Sequence, residues 1–215
     1  MTDIPNATLK RLSLYRRCFI ELHDQDIKKI QSSELSQVIG IDSATIRRDF
    51  SYLGELGRQG YGYEVEIVLE ALNKLLKTNT KQACVLIGIG DLGRAILKYF
   101  STDKFKNSTF DTPVNLVAGF DIDPEKIGQN IGELPVYDLK ILADYIKKHN
   151  VRYVILAVPP KSAQNVADSL AGLGIKGIMN LSSTIINVCT DIIVHEVDLN
   201  LELETLFFKV LQSQM

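Results

Sequence analysis

The run Ala83-Cys84-Val85-Leu86-Ile87 passes straight into Gly88-Ile89-Gly90-Asp91-Leu92-Gly93, and helix-forming residues follow from Arg94 to Phe100. An apolar strand, a glycine turn and a helix in that order leave few possible folds. Gly88 permits the tight turn, Gly90 leaves room for a pyrophosphate, and Gly93 lets helix and strand pack closely. The N–H groups of the first helical turn then face a dianion. Around this unit, apolar runs of strand length at residues 83–87, 114–120, 153–158, 177–181 and 192–197 alternate with helical segments. That alternation predicts an α/β domain of the Rossmann type, a doubly wound parallel sheet with both faces covered.

The second strand, Val114 to Phe120, ends in Asp121, 28 residues beyond Gly93, where about 20 is usual. The polar stretch 101–112 supplies the extra length. A carboxylate at this point accepts ribose hydroxyls and repels a 2′-phosphate, so NAD(H) is expected rather than NADP(H). Val158-Pro159-Pro160 falls at the carboxyl edge of the sheet, where a nicotinamide would lie; a rigid strand-to-helix turn is the plainer alternative. The expected cofactor residues are therefore Gly88, Ile89, Gly90, Asp91, Leu92, Gly93, Asp121, Val158 and Pro159. A glycine turn in some other α/β protein and a site for CoA or another adenine nucleotide both stay open.

With 215 residues, the chain has room for a second, smaller domain. Residues 5–23 read as a helix carrying Leu9, Leu12, Tyr15, Phe19 and Leu22 on one face. A short helix at 33–38 stops at Gly40, and a third begins at Asp42 or Ser43, either of which can cap it. The glycine-rich stretch 54–63 is a loop or wing, and a helix follows at about 64–77. Helix, short helix, turn, helix and glycine-rich loop is the order of a winged helix-turn-helix. Its third helix would present Ser43, Ala44, Thr45, Arg47 and Arg48 to the major groove of double-stranded DNA, with Arg58 and Gly60 in the wing near phosphate or the minor groove. Asp49 is expected to hold an arginine or a capping position. The alternative is a helical oligomerisation module whose arginines are a solvated face. Charge decides little: residues 1–62 carry net +1 and the remainder net −3.

Thr78-Asn79-Thr80 is the expected linker, which gives domains at 1–79 and 80–200 and an apolar tail helix at 201–215. Leu201, Leu203, Leu206, Phe207, Phe208, Val210 and Leu211 crowd that tail. Such a helix must be covered, either by its own subunit or by a partner. No apolar run reaches the ~18–20 residues of a membrane span. The first residues lack a basic stretch with an apolar core, so the cytoplasm is the expected location. Cys18, Cys84 and Cys189 suit neither a disulfide framework nor a metal site and are expected as small buried hydrophobes. No metal is expected from the scattered His23, His149 and His195. No catalytic residue is expected either. There is no Tyr-x-x-x-Lys, His195 has no partner carboxylate in a motif, and little chain remains to build a substrate pocket. A small nucleotide- or CoA-binding enzyme with a helical oligomerisation module is the alternative to a DNA-binding regulator.

Taken together, the chain resembles the Rex family of bacterial redox-sensing transcriptional repressors, from about Pro5 to Phe208. The most specific stretch is Ile46-Arg47-Arg48-Asp49-Phe50-Ser51-Tyr52-Leu53-Gly54, continued by the glycine loop to Tyr63. The glycine motif through Ala95 is the second, and Phe120-Asp121-Ile122-Asp123-Pro124-Glu125-Lys126-Ile127-Gly128 the third. The resemblance implies a homodimer that binds operator DNA when NADH is scarce relative to NAD⁺ and releases it when NADH binds. It implies that the tail helix, Leu203 to Leu211, swaps into the partner subunit. It also implies a coupling set of Arg17, Tyr99 and Asp198 near the nicotinamide. Thr45 stands where many members have Gln, Arg48 where many have Lys, and Asn180-Leu181-Ser182-Ser183 replaces the usual Asn-Phe-Ala-Pro.

Overall fold

A computed structural model describes residues 4–54, 56, 61–78, 80–101, 113–189 and 191–214. The chain forms two compact units, and along the main chain the first gives way to the second between Thr80 and Lys81.

The first unit opens with helix α1 (Asn6–Asp24), for which Pro5 is the N-cap residue. Strand β1 (Lys29–Ile30) leads into α2 (Ser32–Ile39), which starts at a Gln31–Glu34 capping box and stops at Gly40 with φ +68°. Helix α3 (Ser43–Phe50) is capped by Asp42, whose carboxylate accepts from the N–H groups of Ala44 and Thr45. A 3₁₀ turn at Ser51–Leu53 and strand β2 (Tyr63–Glu64) precede α4 (Val65–Leu76). β1 and β2 pair antiparallel, Ile30 opposite Tyr63. Neither strand was expected, since two residues carry no readable alternation. A Cβ on Gly62 would press on the Ile30 carbonyl, so the chain enters β2 through a glycine. The core joins Leu12, Tyr15 and Phe19 of α1 to Leu35, Ile46, Phe50, Val68 and Leu72. Phe50 lies edge-on to Tyr15 and Tyr63, with ring centroids 5.2 and 4.8 Å away.

The second unit is a seven-stranded sheet in the order β5-β6-β4-β3-β7-β8-β9. Its strands are β3 (Gln82–Ile87), β4 (Val114–Asp121), β5 (Asn130–Ile131), β6 (Leu134–Asp138), β7 (Tyr153–Leu156), β8 (Gly177–Asn180) and β9 (Ile193–Glu196). All pair in parallel except β5 with β6. Residues of β3 alternate between two cores. Val85 and Ile87 meet α6 (Leu142–His149) and α7 (Pro160–Ser169) on one face, while Cys84 and Leu86 pack on the other with Leu97 of α5 (Asp91–Ser101). Burial pushes the Cys84 thiol up to about 12, so it behaves as a core atom. Cys18 is buried too, but Cys189 is exposed, against the expectation for it. It follows Val188 in an irregular stretch where apolar neighbours do not report depth.

On the face of the sheet that carries α5, Ile155 of β7 is buried, but Tyr153, Met179 and Ile193 of β7, β8 and β9 share that face by register and are exposed. The tail forms α8 (Leu199–Ser213), two residues earlier than expected, with Asp198 capping the Asn200 N–H. None of its residues is buried, and Phe207 is 66% exposed.

Candidate functional site

The glycine turn sits at the carboxyl ends of β3 and β7, neighbours from which the chain winds outward in opposite directions. In an open α/β sheet this crevice is where ligands bind. Here it forms a cleft of about 660 Å³, within the ~300–1,000 Å³ usual for small-molecule sites. Every expected cofactor residue except Gly93 lines it. Gly93 acts from behind, since a Cβ there would overlap the Gly88 carbonyl oxygen. Gly88 has φ +96°, and a Cβ on it would run into Ala157. A Cβ on Gly90 would meet nothing within 4 Å. The space it leaves opens on the first turn of α5, whose N–H groups have no acceptor within the helix.

Asp121 holds this turn in place. Its Oδ2 accepts from the Ile89 N–H at 2.6 Å and from Lys126 Nζ at 3.4 Å. Its Oδ1 accepts from the N–H groups of Ile122 at 2.8 Å and Asp123 at 2.9 Å. Burial acts to raise its pKa, but the Asp123 and Ile89 N–H donors and the Lys126 charge hold it below the ordinary carboxylate value. A carboxylate has about four acceptor positions, and these donors use all of them. The neighbouring Asp123 is more exposed; its Oδ1 takes one backbone donor, the Glu125 N–H, and its Oδ2 lies 3.3 Å from Lys126. Lys126, Ser162 and Asn165 also line the cleft and were not anticipated. Ser162 and Asn165 are three apart on the first turns of α7, after Pro159 at its N-cap and Pro160 at its first position. A helix placed after Val158 from the sequence would have turned them inward.

In the first unit, Ile46, Asp49 and Phe50 form the inner face of α3. Ala44, Arg47 and Arg48 are exposed on the outer face, with Ser43 and Thr45 half-buried. The Arg47 guanidinium donates to Ser32 Oγ at 3.0 Å. Arg58 and Gly60 lie outside the described residues. Of the coupling set, Arg17 is on α1 beside Glu21 at 3.5 Å, Tyr99 is exposed on α5, and Asp198 caps α8. Among the described residues, no group of three or more His, Cys, Asp or Glu side chains is placed to hold a metal. No helix among them is long and apolar enough to cross a membrane.

A family model for a putative DNA-binding protein N-terminus matches residues 3–51, and one for a CoA binding domain matches residues 79–184. The redox-sensing transcriptional repressor Rex of Pediococcus pentosaceus is 41% identical over 207 residues, covering 96% of this chain and 96% of its own. The chain belongs to the Rex family. Within Rex, the crystal structure of RSP in complex with beta-NAD⁺ and operator DNA matches with a TM-score of 0.87 at 34% identity, covering 100% of this chain and 95% of that one. RSP in complex with beta-NADH matches with a TM-score of 0.85 at 32% identity, covering 100% of this chain and 97% of that one. The Rex architecture of an N-terminal DNA-binding domain followed by a Rossmann domain is the one described above.

Proposed function

We propose that the chain is a cytoplasmic transcriptional repressor that binds operator DNA through α3 and leaves it when NADH fills the cleft between β3 and β7. The observation that carries this reading is the Asp121-braced glycine turn, a dinucleotide cleft formed in advance, in a chain that also has a helix-turn-helix unit. Residues 1–79 serve DNA, 80–200 serve NAD(H), and 201–215 serve dimerisation. The pyrophosphate lies over Gly90 and the first turn of α5. The adenosine ribose comes beside Asp121, whose own acceptor positions are taken, and Asp123 accepts from its hydroxyls; the nicotinamide approaches Val158 and Pro159. The residues that contact DNA are Ser43, Ala44, Thr45, Arg47, Arg48, Arg58 and Gly60. The cofactor is read and released unchanged, and no residue acts as a catalyst.

The dimer is a homodimer in which α8 of one subunit covers apolar surface of the other. Two features favour it: α8 buries none of its own residues, and Tyr153, Met179 and Ile193 are exposed on one face of the sheet.

NAD⁺ and NADH differ by one charge on the nicotinamide ring, and a ligand shifts a conformational equilibrium only through its differential affinity for the two states. Arg17, Tyr99 and Asp198 are the coupling residues that answer that difference. The test is a library of short fluorescent duplexes at fixed salt, with NAD⁺ and then NADH titrated in. The expected result is a two-fold symmetric site released by NADH and not by equal NAD⁺. Tight NADH binding without a preferred duplex would leave the Rossmann domain and remove the repressor; so would preferential binding of CoA. Asp198→Ala is expected to keep DNA binding and lose the NADH response.

A further inference from the structure

The functional groups on the outer face of α3 are the proposed DNA contacts, while the carboxylate on its inner face has no part in them. Asp49 is 2% exposed. Arg11 Nε and Nη2 grip its two oxygens at 2.6 and 2.8 Å, a bidentate fork. The Tyr15 hydroxyl donates to Oδ2 at 2.8 Å and the Thr8 hydroxyl to Oδ1 at 3.3 Å. Arg11 Nη2 also donates to Thr8 Oγ1 at 3.0 Å, which locks the donors to one another. Thr8, Arg11 and Tyr15 succeed each other on one stripe of α1, so two turns of one helix converge on a single side chain of another.

Helix α3 has eight residues, too few to hold its own shape in water. Ile46 and Phe50 bury its inner face, but apolar packing tolerates small rolls and slides of a helix by repacking. A fork on a carboxylate does not, because its hydrogen bonds depend on angle as well as distance. Arg47, Arg48 and Asp49 are consecutive. The direction in which Asp49 points inward therefore fixes the direction in which the two arginines point outward.

We infer that Asp49 is a positioning residue for operator reading: with Arg11, Tyr15 and Thr8 it sets the roll and register of α3 on α1, so that Thr45, Arg47 and Arg48 meet the bases in one geometry. This rests on the reading of α3 as the recognition helix. Base contacts require that geometry, whereas phosphate contacts to a uniform backbone tolerate its loss. Loosening the anchor therefore lowers discrimination between duplexes more than it lowers binding to DNA in general.

The test uses the full chain and a duplex that the wild-type protein itself selects from a random library, set against a scrambled duplex at the same salt. Asp49→Asn, Tyr15→Phe and Arg11→Lys are compared with wild type, and each is checked by thermal melting and NADH titration. Arg11→Lys keeps the charge and removes the fork. Folded Asp49→Asn and Arg11→Lys proteins are expected to bind NADH as wild type does and to lose at least about tenfold in preference for the selected duplex, a loss the size of one good base contact. Tyr15→Phe loses a smaller part. The salt slope of binding is unchanged, since the phosphate contacts remain. Folded variants that keep the wild-type preference overturn the inference, and so does a proportional loss on both duplexes. If Asp49→Asn does not fold, Tyr15→Phe and Arg11→Lys decide in the same way. A wild-type protein that selects no duplex defeats the recognition-helix reading itself; a wild type that selects one, beside variants that select it equally, defeats only the anchor.

Discussion

Asp49 and Asp121 are both carboxylates withdrawn from water and surrounded by donors from their own chain, at 2% and 8% exposure. Burial works to raise each pKa, and the donors win in both cases, so each carboxyl is held below its ordinary value. A folded-state value below the ~3.9 of an unfolded aspartate means that each charge contributes stability in full above that value, and that the contribution is lost as pH falls through the folded one. Asp49→Ala strands the Arg11 guanidinium and the Tyr15 hydroxyl. Breaking a buried pair costs ~3–5 kcal/mol; Arg11 keeps 30% of its side-chain surface in solvent, so about 2–3 kcal/mol is expected from urea unfolding at pH 7. The difference between wild type and Asp49→Asn is expected to shrink as pH falls below about 4. A difference that stays constant down to pH 2 would mean the charge contributes nothing. The glycines separate in the same way. Gly90→Ala adds a methyl to open space and is expected to keep the wild-type melting temperature while losing NADH affinity. Gly93→Ala meets the Gly88 carbonyl and is expected to lower both. Equal melting temperatures for the two variants would contradict the close packing of α5 on the turn.

At the scale of elements, much could be read in advance, and the omissions have physical reasons. α1, α2, α3 and α4 begin and end within about two residues of where apolar spacing, Asp42 and Gly40 put them. Five strands of the sheet follow from apolar runs. β6 does not, because Leu134-Pro135-Val136-Tyr137-Asp138 buries only Val136 fully and contains a proline, which demotes a run as a strand. β1, β2 and β5 are pairs of residues fixed by their partners and by nothing in themselves. The residues of the cleft show the same division. The glycines and Asp121 announced themselves, but that Asp121 accepts from the glycine turn depends on Ile89, 32 positions earlier in the chain. Asp49 was expected to hold an arginine or a capping position; that it holds an arginine, and that this is Arg11, 38 positions away, needed the fold. α8 was legible as a helix and its cover was not, since sequence does not say which chain supplies it. Because α8 buries nothing within its own chain, Phe207→Glu is expected to leave the secondary structure intact and convert the proposed dimer to monomer by sedimentation velocity. A dimer that survives Phe207→Glu and Leu211→Glu together would place the dimer contact elsewhere.

For the whole molecule, two units with separate cores share one backbone, and two ligands of opposite consequence are expected to bind them. Any factor by which NADH weakens operator binding must equal the factor by which operator weakens NADH binding, whatever the path between them. The bare α8 bears on a different property, inheritance of partners. If each subunit's last helix is held by the other, a dimer cannot trade subunits without first uncovering Phe207, Phe208 and their neighbours to water, which makes the trade slow. Two differently tagged dimers mixed after purification would then stay distinct for hours, while the same chains made together would emerge as mixed pairs. A defective copy of this gene would silence its healthy counterpart only when both are translated in the same cell at the same time, so pairing is settled at birth.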